Sequence, residues 1–289
     1  MKSMSLGSNT VKYVEAGSGE PLLFLHNGGS GHWVWHYQIQ YFAKKYRVLA
    51  VDMLGCGASD RPNVAYDLNF YTDMTGEIIK TLNLQYVILV GNCVGAAAAL
   101  EYATLNPARL RALILFNLCG GHDMMSPFVR WASLPMPGIL KPIHKSALKV
   151  FEHTPGIIKS AVRTNYAARP DPADPVYLSE SKEAVNPAQT QSRLNLMNGL
   201  ASFNKFSHDF DRPSQSLPIA VFWGQKNRVL PLEKGLQFCE RLRPAQTNII
   251  KNAGHLVMAE RPETVNSQIE NFLHKLNNKV SLPAKHTNT

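Results

Sequence analysis

Five residues, Gly91-Asn92-Cys93-Val94-Gly95, place a cysteine between two glycines. They follow the apolar run Tyr86-Val87-Ile88-Leu89-Val90 and precede Ala96-Ala97-Ala98-Ala99-Leu100. The order is strand, sharp turn, helix, the context in which G-x-Nuc-x-G works as a nucleophile elbow. A nucleophile held at such a turn sits in strained backbone, and its neighbours must lack bulky side chains. Position 93 also falls at a helix N-terminus, where free N–H groups and the helix dipole favour a thiolate. The competing reading is a buried, inert cysteine in a turn of small residues, the ordinary state of a free thiol. Chemistry at Cys93 would need a base, a group that orients it, and donors for a developing oxyanion.

The elements that must position these groups are legible as apolar runs. Pro21 to His26, Tyr46 to Asp52, Tyr86 to Val90, Arg111 to Asn117 and Pro218 to Gly224 read as strands, with a weaker one around Thr247 to Ile250. Their continuous β-branched and aliphatic character, rather than alternation, indicates burial on both faces. Helical stretches lie between them: Trp33 to Lys44, Tyr71 to Leu82, Ala96 to Leu105 and Glu233 to Arg241. Alternation of strand and helix predicts a mostly parallel α/β sheet flanked by helices. Val11 to Glu15 reads as an antiparallel edge strand.

In this arrangement the chain resembles the α/β-hydrolase superfamily over nearly its whole length. The loop His26-Asn27-Gly28-Gly29-Ser30-Gly31 is similar to the family's H-G-x-G oxyanion loop, and Asp52-Met53-Leu54-Gly55-Cys56-Gly57-Ala58-Ser59 to its D-x-x-G-x-G-x-S turn. Gly254-His255, followed by Glu260-Arg261-Pro262-Glu263, resembles the catalytic-histidine loop. The wording around Cys93 is most similar to the branch containing carbon–carbon bond hydrolases of ring-cleavage products. The resemblance implies that His255 is the base, that the N–H of Val94 is one oxyanion donor, and that Gly28 supplies the second. Asn27 replaces the loop's usual first glycine, and Asn tolerates left-handed backbone better than most residues. His26 is read as a structural histidine and Asp52 as a turn-stabilising acceptor.

Three departures from the family pattern carry information. Cys93 stands for serine; Asn227, in Gly224-Gln225-Lys226-Asn227, stands where the family's triad acid would be; and Asn117 occupies the backup acid position after the elbow's neighbouring strand. In a serine triad the carboxylate orients the histidine, and Asp→Asn costs about 10⁴-fold in turnover. A thiol alters the requirement, because it is acidic enough to pair as a thiolate with an imidazolium. Asn227 could then orient His255 through its amide oxygen, giving a Cys-His-Asn site. Asp123, Asp209 and Asp211 are the alternatives for a third member. Substrate contacts are expected from Asn27, Asn92, Asn117 and Trp131.

Between the fourth and fifth of these strands lies a Pro-rich segment too long for a loop, which reads as an inserted helical cap. The expected organisation is hydrolase core over 1–118, cap over 119–216, core again over 217–278, and a polar, disordered tail over 279–289. Helical stretches in the cap are Gly156 to Ala168 and Ala188 to Phe203. Its apolar residues, among them Phe128, Trp131, Leu134, Met136, Leu194, Met197 and Phe203, pack on the core or line a substrate pocket.

The formal net charge of +9 is dispersed and accompanied by no nucleic-acid motif, which argues against nucleic-acid binding. A basic surface suits acidic substrates, including carrier-protein or coenzyme A thioesters. Cys56, Cys93, Cys119 and Cys239 are far apart in the chain and show no metal spacing, as expected of reduced thiols in a cytoplasmic enzyme. Neither signal peptide nor membrane span is read, and no motif requires a cofactor. A monomer or homodimer is expected. The functional expectation is acyl transfer from an ester, thioester or activated ketone through a thioester on Cys93, with water, an amine, a thiol or a carbon nucleophile as acceptor. Alternatives from other classes are a non-catalytic ligand-binding homologue and a lyase using His255 as its base.

Overall fold

Strands form where the apolar runs lie: β1 (Lys2–Leu6), β2 (Asn9–Ala16), β3 (Pro21–Leu25), β4 (Arg47–Val51), β5 (Val87–Asn92), β6 (Leu110–Phe116), β7 (Ile219–Gly224) and β8 (Gln246–Ile250). They make one sheet in the order β1-β2-β4-β3-β5-β6-β7-β8. The pairs from β4 to β8 are parallel, while β1 with β2 and β2 with β4 are antiparallel. This architecture comes from a computed structural model that describes residues 1–127, 129–130, 154, 160, 162–208 and 210–280.

Side-chain alternation along the strands divides the core in two. Leu23, Leu49, Leu89, Leu113 and Val221 point to one face, and Leu22, Val48, Ile88, Ile114 and Phe222 to the other. Both faces are covered, which is why these strands read as unbroken apolar runs. The first face is packed by α2 (Leu68–Thr81) and α3 (Val94–Leu105). The second is packed by α1 (His36–Phe42), through Phe42, and by the C-terminal helix through Ile269, Phe272 and Leu273.

Two expectations about the periphery are corrected. The segment Val11 to Glu15 is antiparallel but does not form the sheet edge, because β1 pairs outside it. The signal in Lys2–Leu6 was weak: only Met4 and Leu6 are buried, on alternate positions of a largely polar run. The helix expected from Tyr71 begins three residues earlier, where Asp67 caps it by accepting the N–H of Phe70 at 2.8 Å.

Between β6 and β7 the described regular elements are helical: α4 (Pro175–Ala184), α5 (Gln189–Gly199) and 3₁₀ turns at Gly121–Met124 and Leu200–Ser207. Phe128, Trp131, Leu134 and Met136 lie outside the described residues, as do positions 156–159 and 161 of the helix expected from Gly156 to Ala168; that helix ends at Thr164, and positions 165–168 are not helical. After β7 come α6 (Leu232–Leu242), α7 (Val257–Glu260) and α8 (Pro262–Val280). The last was not anticipated, although Val265, Ile269, Phe272 and Leu273 carry helical spacing and are buried. Among the described residues no helix is long and apolar enough to cross a membrane.

Candidate active site

β5 ends at Asn92 and α3 begins at Val94, so Cys93 is the whole turn between strand and helix. Its backbone has φ 55° and ψ −115°, a left-handed conformation that costs a non-glycine residue on the order of 1–3 kcal/mol. The surroundings hold it there: Cys93 donates its N–H to Phe116 O at 3.0 Å, and its carbonyl accepts Ala97 at 3.0 Å and Cys119 at 3.2 Å. The flanking glycines serve close approach. A Cβ on Gly91 would stand 2.4 Å from Gly95 O, and one on Gly95 would stand 2.5 Å from His26 O. The elbow is therefore wedged against β3 and the loop that follows it.

The same wedging brings backbone N–H groups to the sulfur. The N–H groups of Val94 and Gly28 both act on the Cys93 thiol, favouring its anion. These are the two donors expected for an oxyanion, now placed on one atom. The Cys119 thiol hydrogen-bonds with Cys93, and this contact, followed by burial, pushes the Cys93 thiol well above its usual value. Burial alone takes His255 down to about 4. The resting pair is consequently neutral thiol and neutral imidazole, in place of the expected thiolate and imidazolium. For His255 the reason is desolvation without a buried counter-charge; for Cys93 it is the Cys119 contact first and desolvation second.

Asn227 explains the missing charge and corrects the expected contact. Its Oδ1 accepts the backbone N–H groups of Val229 at 3.0 Å and Leu230 at 2.9 Å, so that atom must be the oxygen. Its Nδ2 therefore faces His255 Nδ1, at 3.2 Å, and also donates to Asn117 Oδ1 at 3.0 Å. An amide nitrogen can only donate, so Nδ1 of His255 accepts and the ring proton resides on Nε2. Asn227 orients the imidazole through its nitrogen, and in the opposite tautomer from the one a triad carboxylate selects.

The other amides extend this arrangement. Asn117 Nδ2 donates to His255 O at 2.9 Å, while its Oδ1 also accepts Gly224 N at 3.0 Å. Asn92 links Asn117 (3.4 Å) to Asn27 (3.3 Å), so a line of buried asparagines runs from the oxyanion loop to the histidine. Asn92 and Asn117 are fully buried and their amides are spent on neighbours, so they hold the site together and do not line the cavity as substrate contacts. Asn27 does line it, and Trp131 lies outside the described residues. His26 donates from Nδ1 to Asn27 O and accepts Met53 N at Nε2, which makes it a loop brace. Asp52 accepts His32 and Ala58 N–H groups in the adjoining turn. Of the alternative acids, Asp123 pairs with Arg130 and His208, Asp211 is exposed, and Asp209 is outside the described residues.

Cys93 and His255 open on a cavity of about 510 Å³ whose walls are predominantly apolar. Leu196, Met197 and Leu200 from α5 and the following turn cover one side, and Val229 lies beside Asn227 on another. A second concavity of about 620 Å³ between α2 and α3 touches neither Cys93 nor His255. The histidine loop is fixed to the segment above it: His255 and Leu256 donate to Asn165 O at 2.7 and 3.1 Å, and Glu260 accepts Gly254 N and Ala167 N. Many cavity residues were not anticipated from the sequence, Cys119, Glu180 and Tyr71 among them. Cys119 appeared only as one of four scattered thiols. Glu180 and Tyr71 sit on helices whose inward faces become apparent only once the chain is folded.

Known proteins match the chain over most of its length. Residues 20–262 match the model of the alpha/beta hydrolase fold family. Among curated relatives, 2-hydroxy-6-oxo-6-(2'-aminophenyl)hexa-2,4-dienoic acid hydrolase of Metapseudomonas resinovorans is 25% identical over 282 residues, covering 94% of this chain and 90% of its own length. The 2-hydroxymuconate semialdehyde hydrolase of Pseudomonas sp. (strain CF600) is 27% identical over 271 residues, covering 90% and 88%. An alpha/beta hydrolase fold protein from Burkholderia ambifaria superposes with a TM-score of 0.77 at 20% identity, covering 93% of this chain and 97% of that one. A meta-cleavage product hydrolase from Pseudomonas fluorescens IP01 gives 0.75 at 19%, covering 95% and 98%. An eight-stranded, mostly parallel sheet, a strained elbow at the end of β5 and a histidine on the loop after β8 place the chain in the α/β-hydrolase fold family.

Proposed function

We propose that this hydrolase-fold chain transfers acyl groups through a thioester on Cys93, from donors whose leaving group is stable as an anion: thioesters, aryl esters and activated ketones. The observation that carries this reading is the direction of the Asn227–His255 hydrogen bond. With its proton on Nε2, His255 can hydrogen-bond to sulfur or to a departing atom but has no lone pair there to receive a proton. A serine hydroxyl, with a pKa far above neutrality, would be inert in such a site. A thiol needs a base less: even raised by Cys119 and burial, it is more acidic than a hydroxyl, and its anion is intrinsically the stronger nucleophile.

The thiolate attacks the acyl carbon, and the tetrahedral oxygen takes the N–H groups of Val94 and Gly28. Collapse must then expel a group that needs no full protonation. Thiolates and aryl oxides meet this requirement, as does the conjugated carbanion released when a carbon–carbon bond next to a vinylogous ketone breaks. The relative's substrate name, a 6-oxo-hexa-2,4-dienoic acid, describes a ketone of that kind. The resulting thioester is slow to react with water where His255 cannot act as base, which favours amines and other strong nucleophiles as acceptors.

Intact-protein mass after brief exposure to stoichiometric p-nitrophenyl acetate tests the reading. An acetyl-sized gain is expected in the native chain and not in Cys93→Ala. A gain of the same size in both, or in neither with folding verified, would refute the Cys93 route. A second reading, a ligand-binding homologue without turnover, is favoured by the neutral resting pair; it requires no adduct and ligand affinity preserved in Cys93→Ala. The lyase alternative is not carried forward, because it needs the lone pair that His255 Nε2 lacks.

A further inference from the structure

Several polar groups lining the cavity are left unused by this chemistry. Glu180, on α4, is buried, and its Oε1 accepts Ser30 Oγ and Trp33 Nε1, the latter at 2.7 Å. Burial raises its carboxyl to about 7, and the charged group acting on it is another acid, Glu183, which raises it further. Glu183 is itself satisfied by Arg61 at 3.3 Å and by Gln189 Nε2. With its nitrogen spent there, Gln189 keeps a buried Oε1 that has no partner among the described residues. Tyr71 Oη is likewise buried and unpartnered, on a ring 6.0 Å from Tyr66. Glu180, Gln189 and Tyr71 all line the cavity that holds Cys93. Arg193, the cation on this wall, gives Nη2 to Ala184 O at 2.7 Å.

The unmet groups define a ligand. Gln189 Oε1 can only accept, Tyr71 Oη and an ionised Glu180 can accept, and Glu180 has an acid for its charged neighbour. A carboxylate would set a second anion beside Glu180. A single hydroxyl has one proton to give and leaves the charge of Glu180 unpaired. An ammonium brings three donors and the opposite charge. We propose that this wall binds the ammonium group of a primary amine, and that this amine is the acyl acceptor for Cys93; the second half rests on the thioester reading above. In the transfer step the ammonium gives one proton to the Glu180 carboxylate. The free nitrogen forms a bond to the thioester carbon, the C–S bond breaks with its electron pair on the Cys93 sulfur, and a second N–H proton ends on that sulfur. The products are an amide, the Cys93 thiol and a protonated Glu180. Glu180 takes the proton that His255, already protonated on Nε2, cannot.

Calorimetric titration of Cys93→Ala with hexylamine, hexanol and hexanoate tests binding without turnover. Hexylamine is expected to bind at least tenfold tighter than either of the others, and Glu180→Gln and Tyr71→Phe to weaken it at least fivefold. Tyr71→Phe removes no hydrogen bond within the described protein, so its effect is read on a folded chain. Equal affinity for the three ligands, or a preference for hexanoate, would overturn the amine site. In parallel, the wild-type chain is treated with p-nitrophenyl acetate and then hexylamine. N-hexylacetamide is the expected product, and acetate alone in the presence of bound amine would refute the acceptor role. Amine binding without any Cys93 adduct would sink the thioester reading and leave the amine site standing.

Discussion

Replacing a triad carboxylate by an amide reverses the direction of one hydrogen bond, and the chemistry proposed for Cys93 turns on that reversal at Asn227 and His255. A carboxylate would accept from His255 Nδ1 and free Nε2 as a base; the Asn227 amide, its oxygen fixed by Val229 and Leu230, donates instead. The residue types were legible in the sequence, and so was their pairing as a set. The direction was not, because it depends on which end of the amide meets two backbone donors on the loop after β7. A pH dependence follows. His255, near 4, is neutral across the working range, while the Cys93 thiol is raised, so the reactive anion is depleted as pH falls. The rate of Cys93 acylation is expected to climb by roughly tenfold per unit between pH 6 and 8, with no plateau below the ordinary thiol pKa of about 8.5. Stopped-flow release of p-nitrophenol measures it; a plateau reached near pH 6 would mean a pre-formed thiolate.

Elements place these residues by close approach. α3 can start immediately after β5 only because Gly95 lets its first turn lie against β3, with a hypothetical Cβ 2.5 Å from His26 O and 2.6 Å from Leu25 O. Both contacts are backbone, so neither can swing aside. Gly95→Ala is expected to cost about 1–3 kcal/mol and to lower Tm by several degrees, read by calorimetry; an unchanged Tm would show that α3 is not wedged. At this scale the parallel strands were legible because burial on both faces leaves little but aliphatic residues. β1 was not, since it exposes three of its five residues and pairs at a free edge. The C-terminal helix carried its pattern openly in Val265, Ile269, Phe272 and Leu273.

At the level of the whole molecule, α4 docks on the core through Glu180, which reaches Ser30 and Trp33 beside the oxyanion loop. Its place on the wall follows from contacts between residues about 150 apart in the chain, and nothing in the local sequence distinguishes it from other acids. Its carboxyl, held up to about 7 by burial, keeps its proton in the empty fold up to that pH, whereas the unfolded chain ionises well below it. The sign is fixed by that order: stability is fully present below the unfolded carboxyl pKa and declines as pH rises toward 7. The loss across that window is about 3 kcal/mol for a fully buried group. Urea unfolding at pH 5 and pH 7.5 is expected to show this decline, with Glu180→Gln flattening it. An equal slope in both proteins would place the titration elsewhere.

The proposed chemistry couples a thiol nucleophile to an amide orienter, and a double-mutant cycle measures that coupling directly. Acylation by p-nitrophenyl acetate would be compared in the native chain, Cys93→Ser, Asn227→Asp, and the double variant. Cys93→Ser alone is expected to fall below about 1% of the native rate, because the remaining tautomer cannot activate a hydroxyl. Adding Asn227→Asp should raise that rate at least about 100-fold by returning the proton to Nδ1 and the lone pair to Nε2. A Cys93→Ser chain that acylates at the native rate, or one that Asn227→Asp leaves unchanged, would contradict the coupling.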